Sequence, residues 1–172
     1  MAGAVPYLLD THIVLITTRL GNSAAALIDQ AFELRASPFR PAVCKVPVAE
    51  TLAFAHAWGA QRRRALDEVI DELIVLPITP RAVHAEWARL RSHAKDHGLA
   101  IQHDHYDLWI AAAANLAGLT MITADAAGFR PLRAAGLVRA WLIDPRSGHR
   151  LPRPSLSRRY VAVTGPSRPL AT

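Results

Sequence analysis

The chain has one cysteine, two lysines and no long apolar run among its 172 residues, and each shortage narrows what it can be. Cys44 alone cannot form an intrachain disulfide, which fits a reducing compartment and sets the expectation of a cytoplasmic protein. No stretch approaches the roughly 18 uncharged apolar residues of a bilayer-spanning helix. The opening MAGAVPYLLD has no basic segment ahead of an apolar run and meets an acid at Asp10, so it does not read as a signal peptide. No G-x-S-x-G, G-x-G-x-x-G or G-K-[ST] motif occurs, which removes the nucleophile elbow, the dinucleotide fingerprint and the phosphate-binding loop.

Charge is present but unevenly placed. Residues 1–144 carry 14 Lys plus Arg against 14 Asp plus Glu and are neutral. Residues 145–172 hold Arg146, Arg150, Arg153, Arg158, Arg159 and Arg168 with no acid, so the net charge of +6 belongs to the tail. The expected organisation is one domain over 1–144 and a basic, Pro/Arg-rich extension over 145–172. As an arm the extension would add salt-sensitive phosphate contacts; as a structural element it would pack on a partner or a second copy. Arg159–Thr164 is a candidate edge strand within it.

Along the domain, short apolar runs alternate with helical patterns. Val5–Leu9, Val43–Val46, Ile74–Ile78, Leu119–Thr123 and Val138–Ile143 read as strands. Asn22 or Ser23 caps a helix to about Arg35, Pro47 ends the second strand, and a helix begins near Glu50. Further helices are expected over Gln61–Leu73, from Thr79 (N-cap) and Pro80 (first helical position) to Gly98, and from Asp104 through Leu116 to Gly118. Strands spaced by helices imply an α/β fold with a mostly parallel sheet of about five strands.

The chemistry lies in where four acids fall. Asp10 ends a strand in YLLDTHIVL, Asp125 follows one in LTMITADAAGF, Glu50 sits at a strand-to-helix junction, and Asp107 lies in a first helical turn. In a parallel sheet, strand carboxyl ends and the following helix starts share one edge, where ligands bind. Each acid alone is as readily a cap or a helix-dipole partner. Together they describe a carboxylate cluster whose repulsion a divalent cation would relieve, and oxygen-only ligands suit Mg²⁺ or Mn²⁺. Asp104 fits either the N-cap of its helix or an auxiliary role at that site. Thr11 and Thr123 could hold a carboxylate or serve as local caps. His12, His103 and His105 adjoin these acids, as substrate contacts or solvated side chains.

LLDTHIVL, VAETLAF and above all YDLWIAAAANLAGLTMITADAAGF resemble the PIN-domain nucleases, and within them the VapC-type toxins. The likeness extends over about residues 6–143. It implies a three-layer α/β/α fold and a metal site of Asp10, Glu50, Asp107 and Asp125 supported by Thr123. It also implies Mg²⁺ or Mn²⁺, cleavage of single-stranded or loop RNA, a homodimer and a VapB-type antitoxin partner. Tyr106 departs from the family pattern, in which Asn often precedes the third acid, and the arginine-rich tail extends beyond the usual end.

Two other functions remain in view. A strand-ending Asp followed by Thr resembles haloacid-dehalogenase-type phosphatases, but those have a second Asp two residues on, where this chain has His12. A PIN-like domain that only binds RNA or a partner would not need all four acids. Of the remaining features, Cys44 suits a small core position, and the four tryptophans suit core or interface. Arg62–Arg64 suits a solvated helix face or a phosphate contact. Ile13–Leu20 with Leu27–Phe32 suits core packing or a groove for a partner helix.

Overall fold

The computed structural model describes residues 7–19, 21–99 and 106–152. Five parallel strands form its sheet: β1 (Tyr7–Leu9), β2 (Ala42–Cys44), β3 (Ile74–Leu76), β4 (Thr120–Thr123) and β5 (Ala140–Leu142), in the order β3-β2-β1-β4-β5. Among the described residues, seven helices surround it: α1 (Thr11–Thr17), α2 (Ser23–Phe32), α3 (Lys45–Ala55), α4 (Ala60–Glu72), α5 (Arg81–Asp96), α6 (Tyr106–Leu116) and α7 (Ala126–Ala134).

The period-two alternation of strand side chains creates two cores. Leu8, Ala42, Cys44, Met121, Ala140 and Leu142 face α5, α6 and α7. Leu9, Val43 and Ile122, one residue along, face α1, α2, α4 and the end of α3. Both faces of the sheet are covered, as parallel sheets require, so the fold is the expected three-layer α/β/α arrangement. Cys44 is fully buried in the first core, where burial pushes its thiol up to about 12 and keeps it unreactive. The Trp87 and Trp109 rings stack at 5.2 Å, joining α5 to α6.

Several boundaries differ from the sequence expectation. β2 ends at Cys44 and α3 starts at Lys45, so Pro47 lies inside the first helical turn and Glu50 in the second. Proline is tolerated there because the first four amides of a helix have no partner within it. α5 begins at Arg81 with Pro80 as its N-cap residue, and no side chain caps it. α2 ends at Phe32, where Glu33 turns left-handed with φ 52°. Two helices, α1 and α7, were not expected. The β-branched run of THIVLIT favours a strand by local preference, yet Asp10 caps it and Ile13, Val14 and Ile16 bury its inner face. Ile28 and Phe32 are buried beside them, so the apolar stretches of α1 and α2 serve as core. In α7, Gly128 and Pro131 mimic breakers, but Phe129 and Leu132 anchor the helix at i, i+3 spacing.

The first part of the arginine-rich segment lies on the domain. Arg150 donates to the Ala31 carbonyl at 2.6 Å and covers the Phe32 and Trp141 rings, and the Leu151 amide donates to the Leu142 carbonyl. Arg62 likewise covers Trp58 at 3.5 Å, while Arg63 and Arg64 are exposed. The expectations for Val5, Pro6, His103, Asp104, His105 and Arg159–Thr164 lie outside the described residues.

Leu66 is the one buried residue of α4 among those described. Leu66→Ala is expected to lower stability by about 2–5 kcal/mol, whereas Glu68→Ala on the exposed face changes it by less than about 0.5 kcal/mol. Urea unfolding of the two variants compares them.

Candidate active site

The strand order places β2 and β3 on one side of β1, and β4 and β5 on the other. The chain therefore diverges between β1 and β4, which opens a crevice at their carboxyl ends. Asp10 directly follows β1, and Asp125 follows β4 by two residues. Glu50 on α3 and Asp107 at the start of α6 reach the same place, because α3 and α6 pack against each other. All four acids line one cleft of about 450 Å³, together with Thr11, His12, Phe54, Tyr106 and Gly128.

Each acid is held by local structure. Asp10, 2% exposed, accepts the Thr11 amide at 2.7 Å on Oδ1 and the Thr123 hydroxyl at 2.7 Å on Oδ2. Thr123, itself fully buried, also accepts the Asp125 amide at 2.9 Å, so one hydroxyl ties the ends of β1 and β4 together. Asp125 caps α7, its Oδ1 accepting the amides of Ala127 and Gly128 at 3.0 Å each. The Thr11 hydroxyl donates to Glu50 Oε2. Capping and a site role are thus compatible for Asp10 and Asp125. Backbone donors fix one oxygen of each, and the macrodipoles of α1 and α7 lessen the cost of gathering charge.

Gly128 is what sequence reasoning missed. A Cβ there would collide with Asp107 Oδ2 and stand 2.8 Å from Asp125 Oδ2, so both oxygens crowd the space that a side chain would fill. The sequence carried no signal for it, because α7 itself was not expected and Gly128 reads there as a breaker. Phe54 went unremarked as well. It lies four residues after Glu50, one helical turn along the same face.

Electrostatically the cleft is strained. Burial first, then the charges of Asp10, Asp125 and Glu50, raise the Asp107 carboxyl from 3.8 to about 7. The Asp10 carboxylate, 3.8 Å from Nδ1 of His12, raises that imidazole above 6.5, with burial opposing and Asp125 and Glu50 assisting. His12 is the only His, Lys or Arg lining the cleft among the described residues.

A carboxyl whose folded value exceeds its unfolded one makes the native state the better proton binder between the two. Stability of the metal-free protein therefore falls as pH rises from about 4 to about 7. Asp107→Asn is expected to raise the melting temperature at pH 8 in EDTA and to narrow the gap between pH 5 and pH 8. Thermal melts at both pH values check this.

Comparison with known proteins agrees with the geometry. No curated relative matches the chain in sequence. Among solved structures, VapBC-5 from Mycobacterium tuberculosis superposes with a TM-score of 0.59 at 29% identity, covering 81% of this chain and 99% of that one. FitAcB from Neisseria gonorrhoeae gives 0.59 at 26%, covering 78% and 95%. VapBC2 from Rickettsia felis, bound to a promoter DNA fragment, gives 0.66 at 20%, covering 80% and 98%. The PIN domain profile matches residues 7–133, which takes in all four acids and sets the phosphatase alternative aside: this chain belongs to the PIN domain family.

Proposed function

We propose that this protein is a metal-dependent endoribonuclease, the toxin of a toxin–antitoxin pair. The observation that carries the proposal is the convergence of Asp10, Glu50, Asp107 and Asp125, from four separate elements, on one cleft at the sheet's switch point. The toxin role rests on the likeness to VapBC-5, described as a member of a toxin–antitoxin family. A VapB-type antitoxin and a second copy of this chain are the partners that this reading implies.

The donor set fits Mg²⁺ or Mn²⁺, being carboxylate oxygen throughout, with the Asp107 carboxyl raised to about 7 by burial and then by its three acidic neighbours. Among the described residues, no three His, Cys, Asp or Glu side chains are gathered tightly enough to hold one cation as direct ligands. Mg²⁺ does not need that, since it keeps several waters and takes one or two carboxylates. Asp10, Asp107 and Asp125 would hold it directly or through waters, with Glu50 beside them. Bound there, the cation would neutralise charge on a phosphodiester and lower the pKa of a water.

The protein's own part is positioning. Thr123 and the Thr11 amide fix both oxygens of Asp10, and each oxygen keeps a lone pair for a further contact. Thr11 sets the angle of Glu50, and Gly128 leaves room for the Oδ2 atoms of Asp107 and Asp125. His12, at the cleft mouth, is placed to donate to a phosphoryl oxygen.

Three outcomes follow, read on structured RNA with Mg²⁺ or Mn²⁺ against an EDTA control. Asp10→Asn is expected to abolish cleavage. Thr123→Val is expected to weaken cation binding by about 10- to 100-fold, the usual cost of removing a group that orients a ligand. Gly128→Ala is expected to leave the melting temperature near that of the wild type while displacing Asp107 and reducing cleavage at least as much. Cleavage that ignores metal, or survives Asp10→Asn unchanged, contradicts the proposal.

A further inference from the structure

The cleft offers little to a phosphate chain. Four acids line it, and among the described residues His12 is the only basic side chain that does. In most nucleic-acid sites, Lys and Arg contacts to phosphate supply much of the affinity, and among the described residues neither lines this cleft. Two large aromatic side chains stand in their place. Phe54 is 57% exposed and Tyr106 is 53% exposed, and both line the same cleft as the acids. They come from different elements. Phe54 lies one turn beyond Glu50 on α3, and Tyr106 immediately precedes Asp107 on α6. Each ring is thus attached to the same helix as one acid of the cluster. Leu15 and Leu99 add apolar surface to the lining.

We infer that Phe54 and Tyr106 form the base-binding subsite of this cleft, stacking an unpaired base of a nucleotide that flanks the scissile phosphate. The inference rests on the nuclease reading and deepens it by naming the residues that would grip the substrate. Stacking suits the geometry because a base carries no charge and does not oppose the acids. Every base presents a π face, so such a subsite binds without demanding a sequence. A base inside a duplex is already stacked on its neighbours, so these rings would engage only a splayed or single-stranded nucleotide. The arrangement also separates the tasks: aromatic rings hold the base while the acids hold the reacting group.

The test uses the full chain carrying Asp10→Asn, with a fluorescent 12-nucleotide single-stranded RNA followed by anisotropy. Phe54→Ala and Tyr106→Ala are each expected to weaken binding by about 5- to 150-fold, the range for loss of one stacked base. Tyr106→Phe, which keeps the ring, is expected to bind like the parent. The salt dependence of binding should keep its slope in every variant, because no phosphate contact is removed. A 12-mer that is abasic throughout should bind the parent more weakly than the RNA does, and the loss on going from RNA to abasic chain should be smaller in Tyr106→Ala. Phe39→Ala, exposed and away from this cleft, is the control expected to change nothing.

Both aromatic positions are exposed, so truncation should leave the melting curve unaltered. Binding by the two alanine variants within twofold of the parent would overturn the inference. So would a changed salt slope, or a fully abasic chain that the parent binds as tightly as the RNA. If the alanine variants instead lose self-association in sedimentation while binding RNA normally, the aromatic rim is a contact between copies and the inference fails. If the wild type cleaves RNA and only these results are negative, the nuclease reading stands without the subsite. If the wild type neither binds nor cleaves RNA, both fall together.

Discussion

Like-charge repulsion is the constraint around which the rest of this structure is arranged. Asp10, Glu50, Asp107 and Asp125 line one cleft, and Asp107 is raised to about 7 by burial first and then by the charges of its three neighbours. Among the described residues, no arginine lines the cleft to offset the repulsion. The domain uses backbone amides at the starts of α1 and α7, the hydroxyls of Thr11 and Thr123, and one imidazole. Neutral donors fix the carboxylates in place without satisfying their charge, and that leaves them available to a cation.

The sheet makes this gathering possible. Because β1 lies between β2 and β4, the chain leaves Asp10 toward β2 on one side and leaves Asp125 toward β5 on the other. The Thr123 hydroxyl joins the two strand ends, accepting from the Asp125 backbone while donating to the Asp10 side chain. Below that link the structure is rigid for ordinary reasons. Leu8 and Leu9 on β1, and Met121 and Ile122 on β4, alternate between two apolar cores and leave neither strand free to slip.

Much of this was legible in the sequence, and the exceptions have specific causes. The five strands and the parallel sheet follow from apolar runs separated by helical periods, and the three layers are what the resemblance to PIN-domain nucleases implies. α1 was not legible because its β-branched residues favour strand locally, and only burial of Ile13, Val14 and Ile16 against the sheet makes it helical. Pro47 misled in the opposite direction: it reads as the end of β2 but occupies a helical turn where its missing amide costs nothing. The convergence of the acids could be inferred from their places on the sheet edge. The need for Gly128 could not, since it depends on how closely α7 approaches the start of α6. The charge in the tail was plain from composition, yet Arg150 is bound into the domain through Ala31, Phe32 and Trp141.

The acid cluster and the excess basic charge therefore occupy different parts of this chain, and the central claim concerns the acids: that together they form a divalent-cation site. Titration of Mn²⁺ into the purified full-length protein near pH 7, followed by calorimetry in buffers of different ionisation enthalpy, tests it most directly. The expected result is saturable binding with net proton release, because Asp107 is partly protonated near neutrality, and loss of that binding in Asp10→Asn. Equal, weak and proton-neutral binding in the wild type and Asp10→Asn would contradict it.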